Sequence, residues 1–320
     1  MPFEVGNDPQ PARCWDEHAR RCPPPLACRV KLRGCLEYVL TAWPRNNAPS
    51  QRCGDLSVKI LEIEAPESLL DVVIPTADIR GTLFRDCIAS LQGATSSPCR
   101  IVAVESSGTA FNFSRSINAG LSKSTQDVLI LNDDTRLARG SIDALLQARG
   151  KFGEGAYQCY VHTFDGRPRN IGWSYDRSAF GPIKHALQLR APLSAPIATI
   201  RYLATGTFYR FRLHRTPVDG FDGFSFDAAM VTRETIRRVG VLDEDFPLGW
   251  DDVDYSLRCH ELGVGYYAVP TAIVYHTVNG TRRQGDPREE ISRRSLARKW
   301  PLDRLLRTLE KGPFGKVIRR

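Results

Sequence analysis

Residues 71–76 read DVVIPT, a short apolar run that ends in a turn signal and is typical of a buried strand. Similar runs follow as IVAV at residues 101–104 and VLIL at residues 128–131. Apolar residues at helical spacing lie between these runs, in residues 84–91 and 117–121. This alternation of strand and helix predicts an α/β fold built on a mostly parallel, Rossmann-like sheet.

Polar residues follow each of these predicted strands at its carboxyl end. Thr76 ends the first strand, Glu105 follows the second, and Asn132-Asp133-Asp134 follows the third. Ligands of open α/β sheets bind beyond the carboxyl ends of the strands, so these residues are predicted to meet in one cleft. The oxygens of Asn132 and Asp134 suit Mn²⁺ or Mg²⁺, whose coordination is often completed by substrate phosphates. The alternative is a simple turn, which Asn and Asp also favour.

A second acidic segment, GWDDVD at residues 249–254, opens a predicted helix. Asp252 could take a proton from a hydroxyl group if burial beside Trp250 and other acids raised its pKa. Alternatively, Asp251 or Asp252 caps the helix by accepting free backbone N–H groups. His276 ends an apolar run and is either a metal ligand or a structural histidine.

The chain between and after these segments gives a weaker pattern. Residues 150–220 are rich in Gly, Pro and aromatic residues and predict irregular structure. Residues 228–231 predict a strand, and Thr232 and Gly240 predict the start and the end of a helix. Residues 266–275 predict two further strands.

Composition divides the chain into three predicted parts. Residues 1–65 are rich in Pro, Cys and Arg and predict a small N-terminal appendage, and residues 66–280 predict one large domain. Five of the nine cysteines lie in the first part, at Cys14, Cys22, Cys28, Cys35 and Cys53. Their spacing contains no CxxC pair, so free thiols are favoured over a structural zinc site, and zinc over disulfides.

The third part, residues 281–320, is a basic helical tail that carries the whole net charge. It contains 13 Lys and Arg against 5 Asp and Glu, and its net charge of +8 equals that of the full chain. Leucines at helical spacing predict an amphipathic helix, at Leu302, Leu305, Leu306 and Leu309. This helix either lies on an anionic membrane surface or packs its leucines on the large domain. Few aromatic residues accompany the charge, so no nucleic acid is expected as a partner.

The apolar runs also bear on localisation. None approaches the roughly 20 residues that a bilayer-spanning helix needs. Residues 1–8 lack a basic start followed by an apolar stretch, so no signal peptide is predicted. We therefore expect a cytoplasmic protein, with peripheral membrane contact through residues 281–320 if the tail helix lies on a lipid surface.

The order of the motifs resembles that of the family 2 glycosyltransferases, which share the GT-A fold. The resemblance covers roughly residues 69 to 282. Its motifs are Val73–Thr76, Phe113–Leu121, Leu131–Thr135, Asp165–Gly172 and Phe224–Arg258. The mid-chain motif resembles rhamnosyltransferase-like members, and the WDDVD and Tyr275-His276 segments are similar to bacterial galactofuranosyltransferases.

The resemblance implies roles for individual residues. Asp252 would be the catalytic base with Asp251 beside it, and Trp250 would face the acceptor. Asp134 and His276, with Asn132, would bind the metal. Residues implied for the nucleotide sugar donor are Pro75, Thr76, Glu105, Arg115, Asn118 and Asp133.

The function implied is that of an inverting, metal-dependent hexosyltransferase. It would move a sugar from a nucleoside diphosphate sugar, UDP- or dTDP-linked, to a hydroxyl acceptor on a glycan, a glycolipid or a protein, and the acceptor could be lipid-linked. A nucleotidyltransferase is the first alternative, but residues 77–82 contain only one Gly and one Arg where a Gly-rich basic loop would be typical. A non-catalytic module that binds glycan or nucleic acid is the second alternative.

Overall fold

A computed structural model describes residues 51–53, 56–65, 67–107, 111–175, 211–277, 286–311 and 315–318. The strands are β1 (Gln51–Cys53), β2 (Leu56–Ile63), β3 (Leu70–Thr76), β4 (Cys99–Glu105), β5 (Asp127–Leu131), β6 (Thr135–Leu137), β7 (Ala156–His162), β8 (Pro168–Asn170), β9 (Trp173–Tyr175), β10 (Phe211–Leu213), β11 (Ala228–Val231), β12 (Tyr266–His276) and β13 (Gly315–Val317). The helices are α1 (Thr82–Ala94), α2 (Phe113–Lys123), α3 (Ser141–Phe152), α4 (Arg233–Val239), α5 (Asp251–Glu261), α6 (Pro287–Lys299) and α7 (Leu302–Glu310).

One mixed sheet of 11 strands organises the molecule, in the order β1-β2-β4-β3-β5-β11-β7-β12-β13, with β6 added to β12 and β8 added to β7. Strands β4, β3, β5, β7, β12 and β13 run in one direction. Strand β11 runs against its neighbours β5 and β7, and β2 runs against β4. The predicted α/β class with a mostly parallel sheet is therefore confirmed.

The central strands are buried on both faces, which explains why they read as continuous apolar runs. In β3, Val72 and Ile74 belong to the core that includes α1 residues such as Phe84. Val73 belongs to the opposite core, with Ile117 of α2. Because side chains alternate across a strand, the two cores hold the sheet from both sides and leave its carboxyl edge for the site.

Gly120 allows α2 to approach β3 closely. A methyl group at this position would lie 2.3 Å from Cγ1 of Val73. Gly120→Ala should therefore destabilise the protein by about 1–3 kcal/mol in urea denaturation. Gly150→Ala in α3 is the matched control, because no atom of the described residues lies within 4 Å of a methyl group there. The control should gain about 0.5–1 kcal/mol from helix propensity, and equal stability of the two variants would contradict the close approach.

The ends of two helices test the predicted caps. The Thr232 side chain accepts a backbone N–H from the first turn of α4, and Gly240 follows its last residue, as predicted. Helix α5 differs, because Trp250 occupies the N-cap position in a left-handed backbone conformation. Asp251 and Asp252 lie inside the first turn, so the prediction that one of them is the cap is wrong.

The segments with weak patterns contain more structure than predicted. The described part of residues 150–220 includes the end of α3 and strands β7 to β10. Residues 266–275 form one strand, β12, rather than two. Its register shifts between Val269 and Ile273, where Pro270 cannot donate a ladder hydrogen bond.

The predicted N-terminal appendage extends into the sheet. Strand β2 pairs with β4 and β1 pairs with β2, so residues 51–53 and 56–63 are not separate from the large domain. Cys14, Cys22, Cys28 and Cys35 lie outside the described residues. Cys53 lies in β1. Four other cysteines are free thiols, namely Cys87, Cys99, Cys159 and Cys259.

The described part of residues 281–320 packs on the domain and is not a separate tail. Leu305 is fully buried and Leu309 is 4% exposed, in a cluster that includes Trp173 and Leu257. Strand β13 pairs in parallel with β12 at the sheet edge. Leu305 and Leu309 therefore pack on the domain, which was one of the two alternatives, and the boundary at residue 280 stays a prediction.

Basic residues of this segment form ion pairs with acids elsewhere in the fold. Lys299 Nζ lies 2.6 Å from Asp243 Oδ2, and Arg304 Nη2 lies 2.7 Å from Glu261 Oε2. Both acids belong to the large domain, so the local excess of basic residues compensates acids elsewhere in the fold. Within the described residues, no helix is long and apolar enough to cross a membrane.

Candidate active site

Thr76 and Asp133, which were predicted to share one edge of the sheet, are in direct contact. Thr76 Oγ1 donates to Asp133 Oδ2 at 2.6 Å, and both residues are buried. Burial raises the pKa of Asp133 to about 6; the Thr76 hydrogen bond opposes this shift and the charge of Asp134 adds to it. The end of β3 therefore fixes the first acid that follows β5.

Asp134 and His276 are adjacent, as their predicted shared role requires. Strand β6 turns back against β12 and sets Thr135 opposite His276. This pairing brings the end of β12 to the acidic triplet. His276 Nε2 lies 3.0 Å from Asp134 Oδ1, and both side chains are less than 10% exposed.

Arg169, which the sequence did not single out, contacts the other side of the His276 ring. Its Nη1 donates to Nδ1 of His276 at 2.5 Å. A ring nitrogen accepts such a bond only in the neutral imidazole, whose hydrogen is then on Nε2 and faces Asp134. Burial lowers the pKa of His276, but the Asp227 and Asp134 carboxylates outweigh burial and raise it, while Arg169 opposes them.

Asp227 is a further acid of the site that sequence reasoning missed. It precedes β11, whose antiparallel register sets Ala228 opposite Leu131 at the end of β5. The backbone confirms this placement, because Asn132 N–H donates to the Asp227 carbonyl at 3.2 Å. Asp227 Oδ1 lies 3.6 Å from Nδ1 of His276. In the sequence, Asp227 is recognisable only as an acid directly before an apolar run. The antiparallel direction of β11, which the sequence does not reveal, brings it to this edge.

The first turn of α5 adds two more acids to the same region. Asp251 is buried, and burial, followed by the charge of Asp252, raises its pKa well above the ordinary value. The charge of Asp227 also raises the pKa of Asp251. The first turn of α5 and the edge of the sheet that carries Asp227 therefore lie within electrostatic range of each other. Burial beside Trp250 was predicted to raise the pKa of Asp252. In the structure it is the neighbouring Asp251 that is buried. Asp252 is half-buried, and its Oδ1 accepts the Val253 N–H at 2.8 Å.

The third acid of the WDDVD segment, Asp254, has a structural role. It is fully buried and accepts hydrogen bonds from Trp300 Nε1 at 2.8 Å and Arg258 Nε at 2.9 Å. Lys299 Nζ lies 3.0 Å from Asp254 Oδ1. Asp254 thus ties α5 to the end of α6, which fixes the direction of the helix that carries Asp251 and Asp252.

Trp250 adopts a backbone conformation that is unfavourable for a bulky residue. Its φ is +66°, directly after Gly249 with φ of +70°. Such a conformation costs a non-glycine residue about 1–2 kcal/mol, and strain of this kind clusters at functional sites. Trp250 packs against the cluster that contains Phe246 and Trp300, and this packing holds the conformation.

Two residues predicted to bind the donor contact a loop of the protein. Arg115 Nε donates to Glu244 Oε2 at 2.9 Å. The Asn118 side chain bonds both backbone groups of Leu242, with its Nδ2 at 2.8 Å from the carbonyl and its Oδ1 at 2.9 Å from the N–H. Both residues lie on α2, and these contacts hold the loop that leads to α5.

The remaining predicted donor residues lie at the ends of β3 and β4. Pro75 is buried within β3, directly before Thr76. Glu105 Oε1 accepts the Ile79 N–H at 3.2 Å, and its Oε2 lies 3.3 Å from Lys59 Nζ. Glu105 therefore fixes the loop after β3 and remains at the same edge as Thr76.

The donor set at this edge fits a hard cation that a ligand helps to coordinate. Asp134 supplies carboxylate oxygen and His276 supplies imidazole nitrogen, and the buried Asn132 Oδ1 has no hydrogen-bond partner among the described residues. Within the described residues, no three His, Cys, Asp or Glu side chains converge to enclose a metal. Mg²⁺ and Mn²⁺ sites of nucleotide enzymes typically use one or two carboxylates together with water and phosphate oxygens, which is consistent with this set.

No protein-family model and no curated protein matches the sequence. Among solved structures, the protein is similar to GalNAc-T7 in a crystal structure with UDP, GalNAc and Mn²⁺, with a TM-score of 0.44 and 11% identity. That match covers 77% of this chain and 48% of the other, so this chain spans about half its length. The protein is also similar to the mannosyltransferase PcManGT from Pyrobaculum calidifontis in complex with GDP-Man and Mn²⁺, with a TM-score of 0.40, 14% identity, and coverage of 89% of this chain and 83% of that chain.

Proposed function

We propose that this protein is an inverting glycosyltransferase with a GT-A fold. It transfers a sugar from a nucleoside diphosphate sugar, UDP- or dTDP-linked, to a hydroxyl group of a glycan, a glycolipid or a protein. One observation carries the proposal: the Asp134–His276 pair and the buried Asp133 lie at one edge of the sheet, within electrostatic range of the acids in the first turn of α5. These residues could bind a metal together with the anionic donor, and they include a carboxylate that could accept the proton of the acceptor.

Asp134, His276 and Asn132 would hold Mn²⁺ or Mg²⁺, which when bound neutralises charge on a diphosphate leaving group. His276 can ligate through Nε2 only after that hydrogen has moved to Nδ1 or left the ring. Asp227 is the carboxylate next to Nδ1, and a ligating histidine usually donates its other N–H to such a partner. Asp227 is thus proposed as a positioning residue for His276.

The acceptor side of the proposal uses α5. Asp252 would accept the proton of the acceptor hydroxyl as its oxygen attacks the anomeric carbon. The bond from that carbon to the diphosphate oxygen breaks, and the electron pair leaves with the diphosphate. Attack opposite to the leaving group inverts the anomeric centre. Trp250, half-buried before Asp251, would contact the acceptor through its ring.

A lipid-linked acceptor would bring the protein to a membrane surface. Leu305 and Leu309 are buried, so they cannot insert into lipid. Peripheral contact through this segment would use exposed side chains of residues 286–311, such as Arg307.

The proposal is tested by incubating the purified full chain with UDP-, dTDP- and GDP-linked sugars in Mn²⁺, in Mg²⁺ and in EDTA. Slow hydrolysis of at least one sugar nucleotide, with release of a nucleoside diphosphate that requires the metal, is expected. Release of pyrophosphate from a nucleoside triphosphate and a sugar phosphate would identify a nucleotidyltransferase instead. Absence of both reactions and of any nucleotide binding would contradict the proposal.

A further inference from the structure

We propose that Arg169 binds the diphosphate group of the nucleotide donor, beside the metal end of the cleft. The inference rests on the proposed function, since it names the residue that meets the leaving group of that reaction. Arg169 belongs to the mid-chain segment of residues 165–172, whose contribution to the site was not evident from the sequence.

The fold holds Arg169 firmly at this edge. It lies on β8, which pairs with β7 through Asn170 opposite Val161. Asn170 is buried, and its Nδ2 donates to Ser225 Oγ at 2.8 Å. Ser225 Oγ in turn donates to Asp227 Oδ2 at 3.2 Å, so the segment is tied to an acid of the site. The half-buried Arg169 side chain then reaches Nδ1 of His276.

Among the described residues, the guanidinium of Arg169 has no carboxylate partner of the kind that two other arginines have. Arg167, two residues earlier, donates to Asp165 Oδ2 at 2.6 Å, and Arg100 donates to Asp71 Oδ1 at 2.9 Å. Within the described part of the chain, Arg169 makes no ion pair, and its one hydrogen bond goes to a ring nitrogen. A guanidinium carries five N–H donors in a planar fork, which matches the oxygens of a phosphate group.

The charge of the site supports the same assignment. Asp133, Asp134 and Asp227 lie at the edge of the sheet where an anionic ligand would bind, and their carboxylate charges repel a diphosphate. Arg115, the arginine that the resemblance implied for the donor, is paired with Glu244. Because Arg169 contacts His276 itself, ligand oxygens that complete the coordination at His276 lie within reach of the guanidinium. Arg169 is therefore a cation beside His276 that has no carboxylate partner among the described residues, and the diphosphate can pair with it.

The test is calorimetric titration of the full chain with inorganic pyrophosphate, UDP and dTDP, each in Mn²⁺ and in EDTA. Arg169→Gln should weaken the binding of pyrophosphate and of the preferred nucleotide by about 10- to 100-fold in both conditions, as expected for lost charge-assisted hydrogen bonds. Arg169→Lys keeps the charge but loses the fork, and it should also weaken binding. The thermal midpoint of each variant is measured without ligand.

Arg167→Gln is the matched control, because it removes the same charge from the same segment at a side chain that is 83% exposed. It should leave pyrophosphate affinity unchanged, and an equal loss in this control would overturn the assignment in favour of a long-range charge effect. Unchanged pyrophosphate affinity in Arg169→Gln with a lowered thermal midpoint would show that Arg169 only balances the acids. If the wild type and Arg169→Gln bind nucleoside diphosphate equally tightly, the role of Arg169 is refuted and the proposed function is not. Wild-type protein that binds neither nucleotide nor pyrophosphate would refute the proposed function as well.

Discussion

Asp252→Asn should lower the turnover number for transfer by about 10²- to 10⁴-fold, the usual contribution of a general base. Asparagine keeps the shape of the side chain, and its amide oxygen can still accept the Val253 N–H that Asp252 Oδ1 accepts at 2.8 Å. The fold and the affinity for the nucleotide donor should therefore stay close to those of the wild type. Initial rates at saturating donor and acceptor, with a titration of nucleoside diphosphate, measure both quantities.

Asp251→Asn is the matched control for this prediction. Asp251 is buried and its pKa is raised well above the ordinary value, which favours the neutral carboxylic acid. Asparagine resembles that neutral form, so the loss of turnover should be less than about tenfold. The role assigned to Asp252 would be abandoned if Asp252→Asn kept near-normal turnover, or if Asp251→Asn proved the more damaging change.

The parts of the site that the sequence predicted are those set by local pattern. Apolar runs mark β3, β4 and β5, and the parallel direction of these strands follows from the helices between them. Thr76 and Asp133 must then meet at the carboxyl edge, as their 2.6 Å hydrogen bond confirms. The contact between Asp134 and His276 was harder to derive, and it was implied by family resemblance rather than by spacing.

The parts that the sequence missed depend on pairing between distant segments. Asp227 reaches the edge because β11 runs antiparallel, and its four-residue apolar run does not reveal direction. Arg115 stays a predicted nucleotide ligand, and the sequence did not reveal its ion pair with Glu244, which lies far along the chain. Arg169 had no local signal, since its position follows from the β8 hairpin.

The basic segment shows the same limit on a larger scale. Its charges suggested a tail because its net charge was counted within the segment alone. In three dimensions Lys299 meets Asp243 and Asp254, and Arg304 meets Glu261, all outside the segment. In α5, the sequence likewise did not reveal that Asp254 is buried and bonded to Arg258 and Trp300.

Asp134→Asn should remove the metal dependence of nucleotide binding. Wild-type protein should bind nucleoside diphosphate roughly 100-fold or more tightly in Mn²⁺ than in EDTA, since even loss of a residue that supports a metal ligand costs 10- to 100-fold. In the variant this ratio should approach one, because the carboxylate beside His276 Nε2 is lost. Affinity in EDTA should hold or rise, since one charge that repels the diphosphate has been removed.

Asp127→Asn provides the matched control, because Asp127 opens β5 at the opposite edge of the sheet and pairs with Arg149 at 2.8 Å. Its metal dependence should equal that of the wild type. The pattern also separates the two cationic contributions to the diphosphate: Arg169→Gln weakens binding with and without metal, whereas Asp134→Asn weakens it only with metal. A Mn²⁺ dependence that survives in Asp134→Asn would mean that the cation is held elsewhere, and the assignment of Asp134 and His276 as its ligands would then be withdrawn.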